Sequence, residues 1–313
     1  MDGTSVYQTV SVILHNIQST KNKSDEGPKS AYTVGPQAAH ATLDNIRAAL
    51  NSENFSGVSS EANTVMWGYS GGCLATEWAA EFQASYAPEL RIAGAACGGL
   101  PVDVAKLYVD WNGGDNVNLM IDSINGITMA YPEMAKYINE HLLPSMAAEF
   151  HIPLTACLTS YPPSYSGQNI SSYFDNGLGF LGDPKTSAIL QTSGTLGNHG
   201  TPSIPLLWYK SFQDEILPVA DQDALYTKYC SSHSGHKADI TYQLNYAGAT
   251  HAAEAVLGTG AAFAWLEARV SGQIKAPGCS IESVVVSDLG TADIAVLGEE
   301  TVDLLNYLLL SGL

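Results

Sequence analysis

Residues 64–72 read TVMWGYSGG, and this stretch contains a Gly-x-Ser-x-Gly pattern centred on Ser70. Its first four residues are apolar and predict a short buried strand, and the small residues after the serine predict a helix over 71–82. A strand, a sharp glycine turn and a helix form the setting of a nucleophile elbow; an ordinary glycine-rich turn is the alternative interpretation. We therefore predict that Ser70 is a nucleophile and that the Gly71 N–H, at the start of the helix, donates to an oxyanion.

Predicted strands and helices alternate on both sides of this elbow. A proline and periodic aliphatic residues predict a helix over 35–51, and the small apolar run 92–97 (IAGAAC) predicts a second buried strand. After residue 202 the alternation resumes, with a strand over 204–209, a helix over 220–229, a strand over 240–246 and a helix over 251–270. This order predicts the α/β class, in the form of an α/β-hydrolase with a mostly parallel sheet.

The intervening hundred residues break the alternation. They contain predicted helices over 117–130 and 133–143, and then a stretch rich in proline, glycine and aromatic residues. We interpret 102–202 as a helical cap inserted between the N-terminal part (1–101) and the C-terminal part (203–313) of the hydrolase core. The C-terminal part contains a further predicted short helix over 301–310. The aromatic residues of the cap either line an acyl-chain tunnel or form the cap's own core: Tyr161, Tyr165, Tyr173, Phe174 and Phe180.

A serine hydroxyl is a weak nucleophile, so it needs a base and a carboxylate that orients the base. In this fold the carboxylate and then the histidine follow the serine along the chain, each on a loop after a strand. Asp214 occupies such a loop in the sequence FQDEILP, where Glu215 is its competitor. Of the eight histidines, His251 alone combines the right order with a position after a strand. We predict a catalytic triad of Ser70, Asp214 and His251.

For the other polar residues we predict capping or surface positions and no part in catalysis. We expect Asp221 and Asp223 to cap the next helix and to face solvent. His233 and His236 stand near Cys230 at a spacing that suggests a metal site, but no zinc pattern completes them, and we predict surface residues and no bound metal. Three more histidines fall in the cap segment without the required strand before them: His141, His151 and His199.

The net charge of the chain indicates which kinds of molecule it does not bind. The 313 residues include 31 acidic and 13 basic residues, which gives a net charge of −18 at pH 7. Such a surface repels phosphate backbones and anionic headgroups, so we expect no nucleic-acid partner and no polybasic membrane docking. No apolar run reaches the length of about 18 residues that a transmembrane helix needs. Residues 1–20 lack the features of a signal peptide.

Beyond these features, the sequence resembles the fungal secretory lipases over nearly all of 27–279. The matching stretches are SAYTVG (30–35), WGYSGG (67–72), WAAE (78–81), YAPEL (86–90), AYP (130–132) and DEILP (214–218), together with His251, Glu254 and the pair Trp265-Leu266. The resemblance implies a capped α/β-hydrolase that is secreted, needs no cofactor and hydrolyses acylglycerols or related esters at a lipid–water interface. It implies the same triad and a disulfide between Cys230 and Cys279.

The sequence departs from that family at its start. Only 69 residues precede Ser70, and they contain neither an HGG-type loop for a second oxyanion donor nor a cysteine to pair with Cys157. We therefore expect an N-terminally shortened form in which Cys157 is the odd thiol. A hydrolase-fold remnant with impaired catalysis and a serine peptidase of the same fold remain the alternatives to an esterase.

Overall fold

The computed structural model describes most of the chain between residues 10 and 310. The described residues are 10–13, 31–156, 158, 161–231, 238–273 and 278–310. The expectations for the odd thiol Cys157 and for the pair His233 and His236 therefore concern residues outside these ranges. In the described part, no helix is both long enough and apolar enough to cross a membrane.

A six-stranded parallel sheet forms the centre of the fold, with its strands side by side in chain order. The strands are β1 (Val10–Ile13), β2 (Thr64–Tyr69), β3 (Ile92–Gly98), β4 (Leu206–Ser211), β5 (Ile240–Asn245) and β6 (Ser280–Val284). Parallel strands all end at one edge of a sheet, so the residues that follow β2, β3, β4 and β5 are brought to the same edge. This is the α/β architecture that the alternating pattern predicts.

Thirteen α-helices occur in the described residues. They are α1 (Gly35–Leu50), α2 (Glu53–Ser56), α3 (Gly71–Tyr86), α4 (Val104–Trp111), α5 (Val117–Ala130), α6 (Pro132–His141), α7 (Ala147–Phe150), α8 (Pro184–Ser193), α9 (Val219–Cys230), α10 (His251–Leu257), α11 (Thr259–Val270), α12 (Thr291–Leu297) and α13 (Glu299–Leu310). Short 3-10 helices lie at Ile152–Leu154, Pro163–Tyr165, Ile170–Tyr173 and Gly179–Leu181. The chain forms two compact units, one built from the sheet with Ala38–Pro101 and His199–Leu313, and one from Val102–Asn198 with residues 31–37.

In the first unit, alternate residues of the central strands face opposite layers of helices. Val65 and Leu207 pack with Leu266 of α11 on one face. On the other face the Trp208 indole N–H donates to Glu77 of α3 at 2.9 Å, and its ring lies against Tyr229 of α9. The period-two alternation therefore buries the sheet on both sides, as expected for parallel strands.

The second unit has its own aromatic core. Tyr165, Tyr173, Phe174 and Phe180 are 5% exposed or less, and Phe174 makes edge contacts with Phe150 and Phe180. Tyr161 is partly buried and donates a short hydrogen bond to Asp122. Of the two interpretations open for these rings, the structure supports a packed core.

Several elements differ from the sequence prediction. The single helix predicted over 251–270 is two helices, α10 and α11, which are separated at Gly258; a Cβ atom at this position would overlap the Tyr209 ring, so the chain passes too close to β4 for any larger residue. The edge strand β6 was not predicted because its sequence, SIESV, is half polar, and its middle residues are exposed.

Two disulfides join segments of the first unit. The bond between Cys230 and Cys279, implied by the resemblance, links the end of α9 to the residue before β6. A second bond, between Cys73 of α3 and Cys97 of β3, was not anticipated. It ties the helix after the elbow to the neighbouring strand, both within the buried core.

The contact between β2 and α3 gives a test of the elbow. A Cβ atom at Gly68 would overlap the Gly72 carbonyl, which is backbone and has no flexible side chain to move aside. We expect Gly68→Ala to destabilise the protein by about 1–3 kcal/mol or more, the usual cost of overpacking. Thermal unfolding measures the loss. Gly182→Ala, where the nearest heavy atom would be 3.8 Å away, is the control, and equal melting temperatures for the two variants would contradict the tight turn.

Candidate active site

Ser70 lies in the turn between β2 and α3 in a strained conformation. Its φ of 54° and ψ of −119° are rarely adopted by a residue with a side chain, and among the described non-glycine residues only Thr33 shares a positive φ. The Ser70 N–H donates to the Gly98 carbonyl at 2.8 Å, and its own carbonyl accepts from Leu74 at 2.9 Å. The turn is thus fixed on both sides by β3 and by the first turn of α3.

His251 begins α10 and is 6% exposed. The preceding residue, Thr250, caps this helix by accepting from the Ala253 N–H at 3.1 Å, as a threonine at this position commonly does. The ring atom Nδ1 of His251 lies 2.8 Å from Asp214 Oδ2. Because a carboxylate only accepts hydrogen bonds, Nδ1 carries the proton, and in the neutral ring Nε2 presents a lone pair.

Asp214 follows β4, and its side chain is fully buried. Its other oxygen, Oδ1, accepts from the Ile216 N–H at 3.0 Å and the Leu217 N–H at 2.9 Å. Burial on its own would raise the pKa of Asp214, but the hydrogen bond from His251, the charge of Lys210 and the Leu217 N–H together lower it. The carboxylate is therefore ionised and oriented by four neighbouring groups.

Glu215, the competitor of Asp214 in the sequence, has a different position. Its carboxylate accepts the backbone N–H of His251 at 2.8 Å and makes no hydrogen bond to the imidazole among the described contacts. A negative charge at the first turn of a helix also interacts favourably with the helix dipole. Glu215 therefore fixes the start of α10, a role that the sequence did not suggest.

Two further residues that the sequence did not single out fix the His251 segment. The Tyr69 hydroxyl donates to the His251 carbonyl at 2.6 Å, and the two rings lie 5.0 Å apart. At Gly99, where φ is +53°, a Cβ atom would lie 2.7 Å from Cε1 of the imidazole. The only signals in the sequence are their positions, since Tyr69 precedes the nucleophile and Gly99 follows the end of β3.

Ser70 and His251 thus lie at the same edge of the sheet. Tyr69, the neighbour of Ser70, donates to the His251 carbonyl, and the turn at Gly98 and Gly99 contacts both the Ser70 backbone and the His251 ring. Nε2 of His251 is buried and has no hydrogen-bond partner in the described part of the chain, so the Ser70 hydroxyl is not in hydrogen-bonding geometry with it. Catalytic hydrogen bonds of this kind are often long without substrate and shorten in the reacting complex. Since Nδ1 is bonded to Asp214, Nε2 is the ring nitrogen of His251 that can accept a proton from a hydroxyl group.

The three histidines that the sequence places in the predicted cap segment have other partners. His141 contacts Asp175 at 2.8 Å, His151 contacts Asn125 at 3.0 Å, and the His199 ring packs against Trp78 and Phe82. None lies beside a serine that follows a strand, as the order rule predicts.

One expectation for the acidic residues after β4 was wrong. Asp223 is exposed as predicted, but Asp221 is only 8% exposed, and the residue at the N-cap of α9 is Pro218. The helix therefore begins at Val219, two residues before Asp221, and the Asp221 side chain is buried.

Glu254 lies in α10 and joins this helix to the end of β5. Its carboxylate accepts from the Asn245 side chain at 2.7 Å, and that side chain also donates to the Val286 carbonyl at 2.9 Å. Burial raises the pKa of Glu254 to about 7, opposed by the hydrogen bond from Asn245. The end of β5, the helix that carries His251 and the segment after β6 are thus joined in one buried network.

No group of three or more His, Cys, Asp or Glu residues within the described ranges is arranged to hold a metal ion.

Known proteins resemble this chain in sequence and in fold. A profile of the family described as secretory lipase matches residues 18–278. A trichothecene C-3 esterase from Fusarium sporotrichioides is 35% identical over 83% of this chain and 59% of its own length. Lipase A from Arthroderma benhamiae is 34% identical over 90% of this chain and 60% of its own length. The chain thus spans about three fifths of the length of these relatives.

Solved structures support the fold. Lipase A from Candida antarctica in its closed state superposes with a TM-score of 0.74 and 23% identity, over 90% of this chain and 65% of that one. The fold prediction, an α/β-hydrolase, is therefore confirmed.

The contact at Gly99 gives a test of the site geometry. A methyl group at this position would meet Cε1 of His251 and would be held in an unfavourable backbone conformation. We expect Gly99→Ala to displace the imidazole, which NMR would detect as a change in the His251 ring resonances and in the downfield Nδ1 proton. Gly57→Ala, also at a positive φ but with no atom within 4 Å, controls for backbone strain. Unchanged His251 resonances in Gly99→Ala would show that the ring does not lie against this turn.

Proposed function

The chain belongs to the secretory lipase family, and we propose that it hydrolyses carboxylic esters, with Ser70 as nucleophile, His251 as general base and Asp214 as the residue that orients the base. The observation that carries this proposal is the contact between His251 Nδ1 and the buried Asp214 Oδ2 at 2.8 Å, next to a serine held in a strained turn. Strain of this kind, about 1–3 kcal/mol, is retained in proteins mainly at functional sites.

In the proposed reaction, Nε2 of His251 removes the proton of the Ser70 hydroxyl as its oxygen attacks the ester carbonyl. The imidazolium that forms is stabilised by Asp214 and then gives its proton to the departing alcohol, which leaves an acyl group on Ser70. Water then loses a proton to Nε2 as its oxygen attacks the acyl carbon. The bond between this carbon and the Ser70 oxygen breaks, the imidazolium returns the proton to that oxygen, and the carboxylic acid leaves. The Asp214 carboxylate stays ionised throughout, in keeping with the lowering of its pKa.

The negative charge on the carbonyl oxygen needs donors that are already in place. Gly71 is the first residue of α3, where a backbone N–H has no partner within the helix and the helix dipole is positive. We propose the Gly71 N–H as one oxyanion donor. Each such donor contributes about 2.7–4 kcal/mol to the stability of the transition state.

The substrate class follows from the family. The relatives are named lipases and trichothecene esterases, so we propose acyl esters of alcohols, from acylglycerols to trichothecene esters. Two disulfides and the secretory family fit an extracellular protein, since such bonds persist in oxidising surroundings. The strongly acidic surface favours uncharged substrates or neutral lipid interfaces over anionic ones.

Replacement of the proposed nucleophile tests the proposal. We expect Ser70→Ala to lower the hydrolysis of p-nitrophenyl esters by roughly 10⁴-fold or more, because the remaining groups cannot form an acyl-enzyme. A fluorophosphonate probe should label the unaltered protein at Ser70 and leave Ser70→Ala unlabelled. Ser85→Ala, at an exposed position near the end of α3, should keep full activity and labelling.

The outcomes separate the alternatives. A folded protein that is neither labelled nor active would support a hydrolase-fold remnant and overturn the proposal. Labelling of Ser70 with turnover of peptide amides, but not of esters, would support a serine peptidase. A series of acyl chains from acetyl to oleoyl, tested in solution and in emulsion, would then separate an esterase from a lipase.

A further inference from the structure

Lys210 is a buried lysine that the proposed mechanism does not use. It lies in β4, and its side chain is fully buried. An ammonium group without water is costly unless an opposite charge compensates it. The compensating charge is Asp214, whose Oδ2 lies 3.1 Å from Nζ.

The same carboxylate oxygen contacts the imidazole of His251 and the ammonium group of Lys210. Oδ2 of Asp214 accepts a hydrogen bond from Nδ1 of His251 at 2.8 Å and lies 3.1 Å from Nζ of Lys210. The other oxygen, Oδ1, accepts hydrogen bonds from two backbone N–H groups. The contact with Lys210 is an ion pair and not a well-directed hydrogen bond. Since both nitrogens touch one oxygen, they lie at most about 6 Å apart, within the range in which one charge alters the titration of another.

Other titratable groups surround this pair. Asp221 and Asp223 of α9 face Lys210, and Asp223 and Asp214 also face Tyr242 of β5. Around His251 stand Tyr69 from the end of β2, Glu215 on its backbone N–H, and Glu254 one turn along α10. Burial lowers the pKa of Lys210, and Asp214, Asp221 and Asp223 oppose this change.

We propose that Lys210 is a positioning residue for the general base, which acts by sharing Oδ2 of Asp214 with His251. This inference rests on the function proposed above. Lys210 holds the carboxylate in the orientation that receives Nδ1, and its positive charge reduces the stabilisation that Asp214 gives to the imidazolium. Loss of the Lys210 charge would therefore strengthen the attraction between Asp214 and the imidazolium.

Two replacements separate the charge of Lys210 from its role in orientation. Lys210→Met removes the charge and the donor at similar length, and Lys210→Gln removes the charge but keeps an N–H donor. We expect the acid limb of the pH profile of kcat/KM to move to higher pH by about one unit in both variants, a tenfold change in proton affinity. We expect kcat to fall at least tenfold in Lys210→Met and to be largely restored in Lys210→Gln.

The control is Lys136→Met, which removes the same charge from α6, where the lysine side chain is 76% exposed and pairs with Glu140 at 3.8 Å. Exposed charges are screened by salt, so this variant should leave both the profile and kcat unchanged. An acid limb that stays in place in both Lys210 variants, with stable folded protein, would overturn the proposal.

A second measurement does not depend on hydrolysis. In the Ser70→Ala background, the NMR titration of the His251 imidazole, assigned by comparison with His251→Gln, should move to higher pH when Lys210 is replaced. This shift would be seen even if the unaltered protein showed no ester turnover, so failure of the proposed function and failure of this inference give different results. If both Lys210 variants unfold, the ¹⁵N resonance of Lys210 in the unaltered protein decides: an ammonium at pH 7 supports the proposal, and a neutral amine overturns it.

Discussion

The arrangement of the site depends on one ionised carboxylate inside the protein. Asp214 has no contact with solvent, and its charge is distributed over two backbone N–H groups, an imidazole and an ammonium. Each of these groups comes from a segment at the carboxyl edge of the sheet, so the position of the carboxylate fixes β4, the loop after it and α10 relative to one another. If any of the four is removed, the buried charge loses part of its compensation, which is why this loop cannot vary freely.

Much of the fold and the proposed triad could be predicted from the sequence because the relevant signals are local. The elbow at Ser70 is recognisable since only glycines permit the close approach of β2 and α3, and apolar runs mark the buried parallel strands. Asp214 and His251 were found from chain order together with a position after a strand. These rules hold because parallel strands deliver the loops that follow them to one edge.

The remaining features depend on contacts between distant segments, and no local pattern encodes them. Glu215 and Asp214 are adjacent and chemically alike, and only the folded loop shows which carboxylate meets the imidazole and which meets the backbone. Lys210 is the penultimate residue of β4, and the predicted strand stopped one residue before it, so a buried cation was not expected there. The disulfide between Cys73 and Cys97 likewise follows from the packing of α3 on β3, since an odd number of cysteines allows several pairings.

The bond between Cys230 and Cys279 encloses a loop with a sequence separation of 49 residues. This loop contains β5, α10 and α11 and therefore His251, whereas Ser70 and Asp214 lie outside it. Cross-links of this kind act largely by restricting the unfolded chain, so the stability of the segment that carries the base depends on redox state. Production in a reducing bacterial cytosol would leave that segment untethered, while export to the periplasm or to a yeast medium would close it. A protease that cut the enclosed stretch once would still leave both fragments covalently attached to one another.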